Sequence, residues 1–242
     1  MNILERIPGE RFSQVLPLWA GRTVVLIGGG PSLTLEQVDQ VRAAHEAGDV
    51  KVIAINDAYL WAPFADVHYA GDSHWHKWHT EGIPKPMLGL SAAAMRERWS
   101  GFAGQKCTIQ NSGANVKDEA VHMLRNRDFP VHGQGLSRDP LALVTGRHSG
   151  FQALNVSTLA GAAVGILLGF DGQPAKDGAT HFFGEHPRPT PQQAYEFYRR
   201  AFSAAENAIA DIGVRVINCS PGSRIDSFEK ADLAEVISGL AK

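Results

Sequence analysis

The sequence predicts an α/β protein: a Rossmann-like, mostly parallel sheet with helices on both faces, in a single domain over residues 1–242 with a loop-rich central excursion. Three observations predict it. The run Thr23-Val24-Val25-Leu26-Ile27 is apolar and β-branched nearly throughout, the pattern of a strand buried on both faces. It leads directly into Gly28-Gly29-Gly30-Pro31-Ser32 and then into residues 34–47, where Leu35, Val38, Val41 and Ala44 recur at helical spacing. Two further short apolar runs follow, residues 50–55 stopping at Asn56-Asp57 and residues 66–70 stopping at Gly71-Asp72. Strand, helix and strand in that rhythm build βαβ units, which give parallel sheets.

The later elements follow the same logic. Residues 87–90 and 107–110 have strand character, and residues 92–99 have helical character. Residues 117–147 are polar and interrupted by Gly and Pro, so they form the excursion and are the candidate acceptor-side insertion. Residues 149–164 turn helical, with Ala153, Ser157, Ala160 and Gly161 small enough for close packing on a sheet. Residues 165–170 read as a strand, 191–212 as one long helix, 214–218 as the last strand and 228–240 as a closing helix.

Composition narrows the function classes. The chain is 44% hydrophobic, enough for one sizeable core, and its formal net charge is -2. No global basic field points to nucleic acid. The longest apolar run, around residues 159–170, is too short and glycine-rich to span a bilayer. No signal peptide is visible, so a cytoplasmic location is expected. Cys107 and Cys219 match no zinc spacing and read as reduced, buried thiols. A homo-oligomer is compatible with all of this.

In parallel sheets ligands sit beyond the carboxyl ends of the strands. That rule gathers the candidate nucleotide-binding residues: Gly28, Gly29, Gly30, Pro31 and Ser32 after one strand, Asn56 and Asp57 after the next, Asp72 after the third, Asp171 after the late strand and Ser220 after the last. Glycines allow close approach of a ligand, and the helix N-terminus that follows favours an anion. Ser32 or Thr34 can cap that helix. The loop is neither a Walker A sequence nor GxGxxG, since Leu33 stands where the third glycine of that fingerprint would be.

Histidines are the second signal. In Asp72-Ser73-His74-Trp75-His76, the histidines alternate as on one face of an extended segment, and with Asp72 they have the chemistry of a divalent-metal site; the bland alternative is an aromatic loop wall, and no resident metal is expected. In Thr180-His181-Phe182-Phe183-Gly184-Glu185-His186-Pro187-Arg188, a loop histidine suits general-base work, with His186 ahead of His181, and Arg188 can pair with a phosphate or carboxylate.

The ordered set of motifs resembles bacterial CMP-sialic-acid-dependent sialyltransferases of glycosyltransferase family 42, and the related 6-hydroxymethylpterin diphosphokinases and flagellin-modifying motility accessory factors. The matching pieces are Gly28-Gly29-Gly30-Pro31-Ser32-Leu33, Ile55-Asn56, Ser149-Gly150, Gly169-Phe170-Asp171, His181-Phe182-Phe183-Gly184-Glu185-His186 and Cys219-Ser220-Pro221-Gly222-Ser223. The resemblance implies a Rossmann-like fold and a nucleotide or CMP-type nucleotide-sugar donor on the glycine loop and Asn56. It also implies Ser149 and Gly150 near the phosphate or sugar, a histidine base, and a small-molecule or glycan acceptor. Two departures stand out: Gly29 occupies the place of a usual Asn, and only residues 172–180 separate Asp171 from His181, where the sialyltransferases carry a long lid. The diphosphokinase side of the resemblance implies ATP with Mg²⁺, for which Asp72 and Asp171 are the candidate ligands. A third reading is a nucleotide-binding protein without catalysis. The compact size also suits a phage or prophage accessory enzyme.

Overall fold

A computed structural model describes residues 1–82, 89–110, 116, 118–127, 135–184 and 190–240. The chain opens with a small hairpin, β1 (Leu4–Arg6) and β2 (Ser13–Val15). It continues through β3 (Thr23–Ile27), α1 (Leu35–Glu46), β4 (Val50–Ile55), a 3-10 turn (Asn56–Leu60), β5 (Val67–Tyr69), α2 (Ser73–Glu81) and α3 (Ala92–Ser100). Next come β6 (Gln105–Ile109), β7 (Val121–Asn126), β8 (Ala142–Leu143), α4 (Ser149–Leu159) and β9 (Val164–Leu168). The chain closes with α5 (Gln192–Ser203), α6 (Glu206–Ile212), β10 (Arg215–Asn218), β11 (Glu229–Lys230) and α7 (Leu233–Leu240).

Nine strands form one sheet in the order β11-β10-β9-β3-β4-β5-β6-β7-β8, and every pairing in it is parallel. This is the Rossmann-like α/β architecture the sequence predicts. β3 lies at its centre, with Val25 opposite Val52 on one side and Ile166 on the other. Its side chains alternate: Val24 and Leu26 enter the core under α4 and α5, whereas Val25 and Ile27 enter the core under α1 and α7. Both faces are therefore covered, which is why β3 reads as continuously apolar. From β3 the chain works outward to β8, then returns to place β9 on β3's other side. Strand order reverses between β3 and β9, so the connections leaving their carboxyl ends run to opposite faces of the sheet, toward α1 and α5, and leave a crevice.

Several elements differ from the sequence expectation. The excursion is loop-rich but carries β7 and β8, which extend the sheet. The helix expected over residues 191–212 breaks at Ala204-Ala205 into α5 and α6. The closing helix is shorter, because Glu229–Lys230 pairs with β10 first. The strand expected at 87–90 falls largely outside the described residues. Residues 73–81 are helical rather than extended: the Asp72 carboxylate accepts the His74 N–H and starts α2. In a helix, His74 and His76 point different ways. His74 is exposed beside Asp72, while His76 is buried with Nε2 bonded to the Ala70 carbonyl at 2.9 Å. Among the described residues no three His, Cys, Asp or Glu side chains gather as a metal site.

Candidate functional site

A cavity of about 560 Å³ opens at the carboxyl ends of β3, β4, β5 and β9, at the reversal point. Of the residues singled out from sequence, Gly28, Gly29, Gly30, Pro31, Asn56, Asp72, Ser149, Gly150, Asp171 and His181 line it. Asp57, Ser220 and Ser32 do not line it. Asp57 is fully buried, with its carboxylate accepting Trp75 Nε1–H at 2.9 Å and lying 3.1 Å from His79 Nε2. Ser220 serves structure: its hydroxyl oxygen accepts the Phe170 N–H at 2.8 Å and thereby shapes the end of β9. Ser32 acts from behind the cavity wall. His186 and Arg188 lie outside the described residues.

The glycine loop is not an open cradle of N–H groups. Gly28 N–H donates to Leu168, Gly30 N–H to Gly169 and Leu33 N–H to Gly30, while Ser32 N–H donates to Asp171 Oδ1 at 3.1 Å. None of the three glycines has a positive φ. Close approach within the protein explains them instead. A Cβ would lie 2.8 Å from the Gly169 carbonyl at Gly28, 2.8 Å from the Phe183 ring at Gly29 and 2.0 Å from Asp171 Oδ2 at Gly30. Helix α1 begins later, at a capping box between Thr34 and Gln37, and its first-turn residues do not line the cavity.

The available helix N-terminus belongs to α4. His148 caps it, its Nδ1 accepting the Phe151 N–H at 3.1 Å, which leaves the ring proton on Nε2. Burial lowers the His148 pKa to about 4, so the imidazole is neutral at neutral pH. Among the described residues no protein acceptor takes the N–H of Ser149 or Gly150. Ser149 Oγ accepts the Gly71 N–H at 3.2 Å, so the hydroxyl hydrogen is available to donate. Arg147 precedes this cap in the left-handed region (φ 55°) and lines the cavity, with its guanidinium 5.5 Å from the centre of the Phe197 ring. Positive dipole end, N–H groups and hydroxyl converge at the cap, which suits an anion.

Two acceptor atoms lie buried beside the cavity. Asn56 is left-handed (φ 52°), and its carbonyl accepts from His68 Nε2 at 3.0 Å. The Asn56 side-chain oxygen and Asp171 Oδ2 are buried without a hydrogen-bond partner. Burial pushes the Asp171 carboxyl up to about 6, against the lowering effect of its hydrogen bonds with Ser32. Such orphaned atoms are rare in proteins.

The sequence reading missed Arg147, His148, Tyr195 and Tyr198, all of which line the cavity. The signal for the first two is their position directly before the Ser149-Gly150 helix start. Tyr195 and Tyr198 sit three residues apart on one side of α5. Burial raises both phenol pKa values, and the Asp72 carboxylate raises that of Tyr198 further.

No protein-family model matches the chain, and no curated protein is similar to it. A solved structure shares the fold. The Maf glycosyltransferase from Magnetospirillum magneticum AMB-1 superposes with a TM-score of 0.54 at 17% identity, over 91% of this chain and 35% of that one. This chain thus spans about a third of that protein. The sialyltransferase CstII from Campylobacter jejuni, solved with cytidine-5'-monophosphate, gives a TM-score of 0.49 at 12% identity over 87% of this chain and 85% of that one.

Proposed function

We propose that the protein is a glycosyltransferase that binds a nucleotide-activated sugar of the CMP type in this cavity and moves the sugar to a hydroxyl of a small-molecule or glycan acceptor. One observation carries the reading. Segments far apart in sequence, whose order resembles that of family 42 sialyltransferases, meet at a single cavity at the reversal point of the sheet.

In this reading the donor lies across the cavity. Its nucleoside rests on the glycine loop and Asn56, with Asp171 beside them. Its phosphate meets the N-terminus of α4, Ser149 and Arg147. Negative charge grows on that phosphate as the bond to the anomeric carbon breaks, so donors fixed there favour the transition state over the ground state. The acceptor oxygen forms the new bond to the anomeric carbon, and CMP leaves with the electron pair. A histidine takes the acceptor's proton. His181 is one candidate, its Nδ1 lying 2.9 Å from Thr180 Oγ1. When Nδ1–H donates to that hydroxyl, Nε2 carries the lone pair that accepts the proton. His186 is the alternative base, and Arg188 a further phosphate partner.

A thermal-shift panel of CMP, UMP, GDP, ATP and nucleotide sugars, with and without Mg²⁺, tests the reading. A ligand at 100 times its Kd adds about 2.7 kcal/mol of stability. Stabilisation by CMP compounds without metal is expected. Stabilisation by ATP with Mg²⁺ alone points instead to pyrophosphate transfer, and no response to any nucleotide defeats the proposal.

A further inference from the structure

The segment that carries His181 is fastened to the glycine loop through one aromatic ring. Phe183 is 9% exposed and stands between two other rings, Trp61 at 5.2 Å with planes 19° apart and His181 at 5.1 Å with planes 28° apart. Phe182 packs edge-on against Trp61 at 4.6 Å, and its N–H donates to the Gly29 carbonyl at 3.2 Å. The Phe183 ring edge fills the space where a side chain on residue 29 would go. A Cβ at Gly29 would lie 2.8 Å from Cε1 and 3.3 Å from Cζ of Phe183, and 3.5 Å from Cδ2 of His181. Gly29 has no positive φ, so alanine there brings no backbone strain. The missing side chain is explained by the ring alone. A ring stacked against two others cannot turn aside without displacing them, because packed interiors transmit such shifts.

We propose that Phe183 is a positioning residue: held in the side-chain space of Gly29, it sets where the His181 imidazole stands in the cavity. Residues 29 and 183 then act as one unit that joins the donor loop to the acceptor-side histidine. Neither needs to touch a reacting atom for this. The inference rests on the proposed function only in giving His181 a role toward the acceptor; the contact itself is independent of that role.

The test is a double-mutant cycle read by NMR on the histidine ring signals, with His181 assigned from His181→Gln. Gly29→Ala should shift the His181 signals and its titration midpoint while His122 and His45 stay where they are. In a Phe183→Leu background, adding Gly29→Ala should leave the His181 titration unmoved, because the obstructing ring is gone. Phe183→Leu on its own should move the His181 titration, which keeps the test decisive should Gly29→Ala not fold. The proposal is overturned if Gly29→Ala leaves His181 unmoved, if it moves His181 equally in both backgrounds, or if Phe183→Leu leaves the titration as in wild type. A wild-type protein that ignores CMP would defeat the donor reading and leave this result standing.

Discussion

Asp171 concentrates the site's chemistry in one side chain. It is 7% exposed, it holds Ser32 through Oδ1, and its Oδ2 has no partner. Burial raises its pKa from 3.8 to about 6, so the folded state holds the proton more tightly than the unfolded chain. Its contribution therefore favours folding at low pH and is lost as pH rises from about 4 through about 6. At neutral pH the ionised carboxylate costs up to about 3 kcal/mol, two pKa units at about 1.4 each. Asp171→Asn keeps an oxygen for the Ser32 N–H and removes the charge. Urea denaturation should show it more stable than wild type at pH 7 by up to that amount, with the gap closing near pH 4. Equal stability at pH 7 would mean that the carboxylate is better solvated than its burial implies. His148 has the opposite sign: its pKa is lowered to about 4, so protonation opposes folding as pH falls from about 6.5 toward 4. NMR titration should show a predominantly neutral His148 ring above pH 5.

At the scale of elements, the start of α4 and the glycine loop divide the work between them. His148→Ala removes the side-chain cap of α4 and should cost about 1 kcal/mol in denaturant unfolding, whereas His148→Asn retains an N-cap and should cost less. Gly71→Ala would place a methyl 2.1 Å from Gln152 Oε1, which accepts the Tyr69 hydroxyl in a buried brace. A loss of about 1–3 kcal/mol is expected from such overpacking, measured in the same way. Much of this was legible in the sequence. β3, α1 and β4 declare themselves by apolar period, because each buries a regular pattern. The hairpin β1–β2 escapes, since strands of three residues leave almost no pattern. β7 and β8 escape because polar and glycine-rich residues surround them. The break between α5 and α6 occurs at alanines, which carry no sequence signal for a stop. Residues 73–76 mislead because alternating histidines mimic a strand, while the true sign of a helix start was Asp72. The glycine loop was found for the wrong reason in part: its glycines make room for Gly169, Phe183 and Asp171 before any ligand arrives. That Arg147 and His148 flank the cavity follows from the return of the chain to β9, a long-range event that local pattern does not encode.

Across the whole molecule, the reversal of strand order between β3 and β9 creates the cavity, and covered faces on both sides hold its floor rigid. Among the described residues no helix is long and apolar enough to cross a membrane. The match to about a third of a longer glycosyltransferase indicates that this fold occurs there as one part of a larger chain. The central claim is that a cytidine nucleotide occupies this cavity, with its phosphate at α4. Isothermal titration of CMP into the wild-type protein and Arg147→Ala, without metal, tests it most directly. Saturable one-to-one binding is expected in the wild type, weakened in Arg147→Ala by an amount that shrinks as salt rises. Absence of CMP binding, or binding that Arg147→Ala leaves unchanged at low salt, would contradict the account.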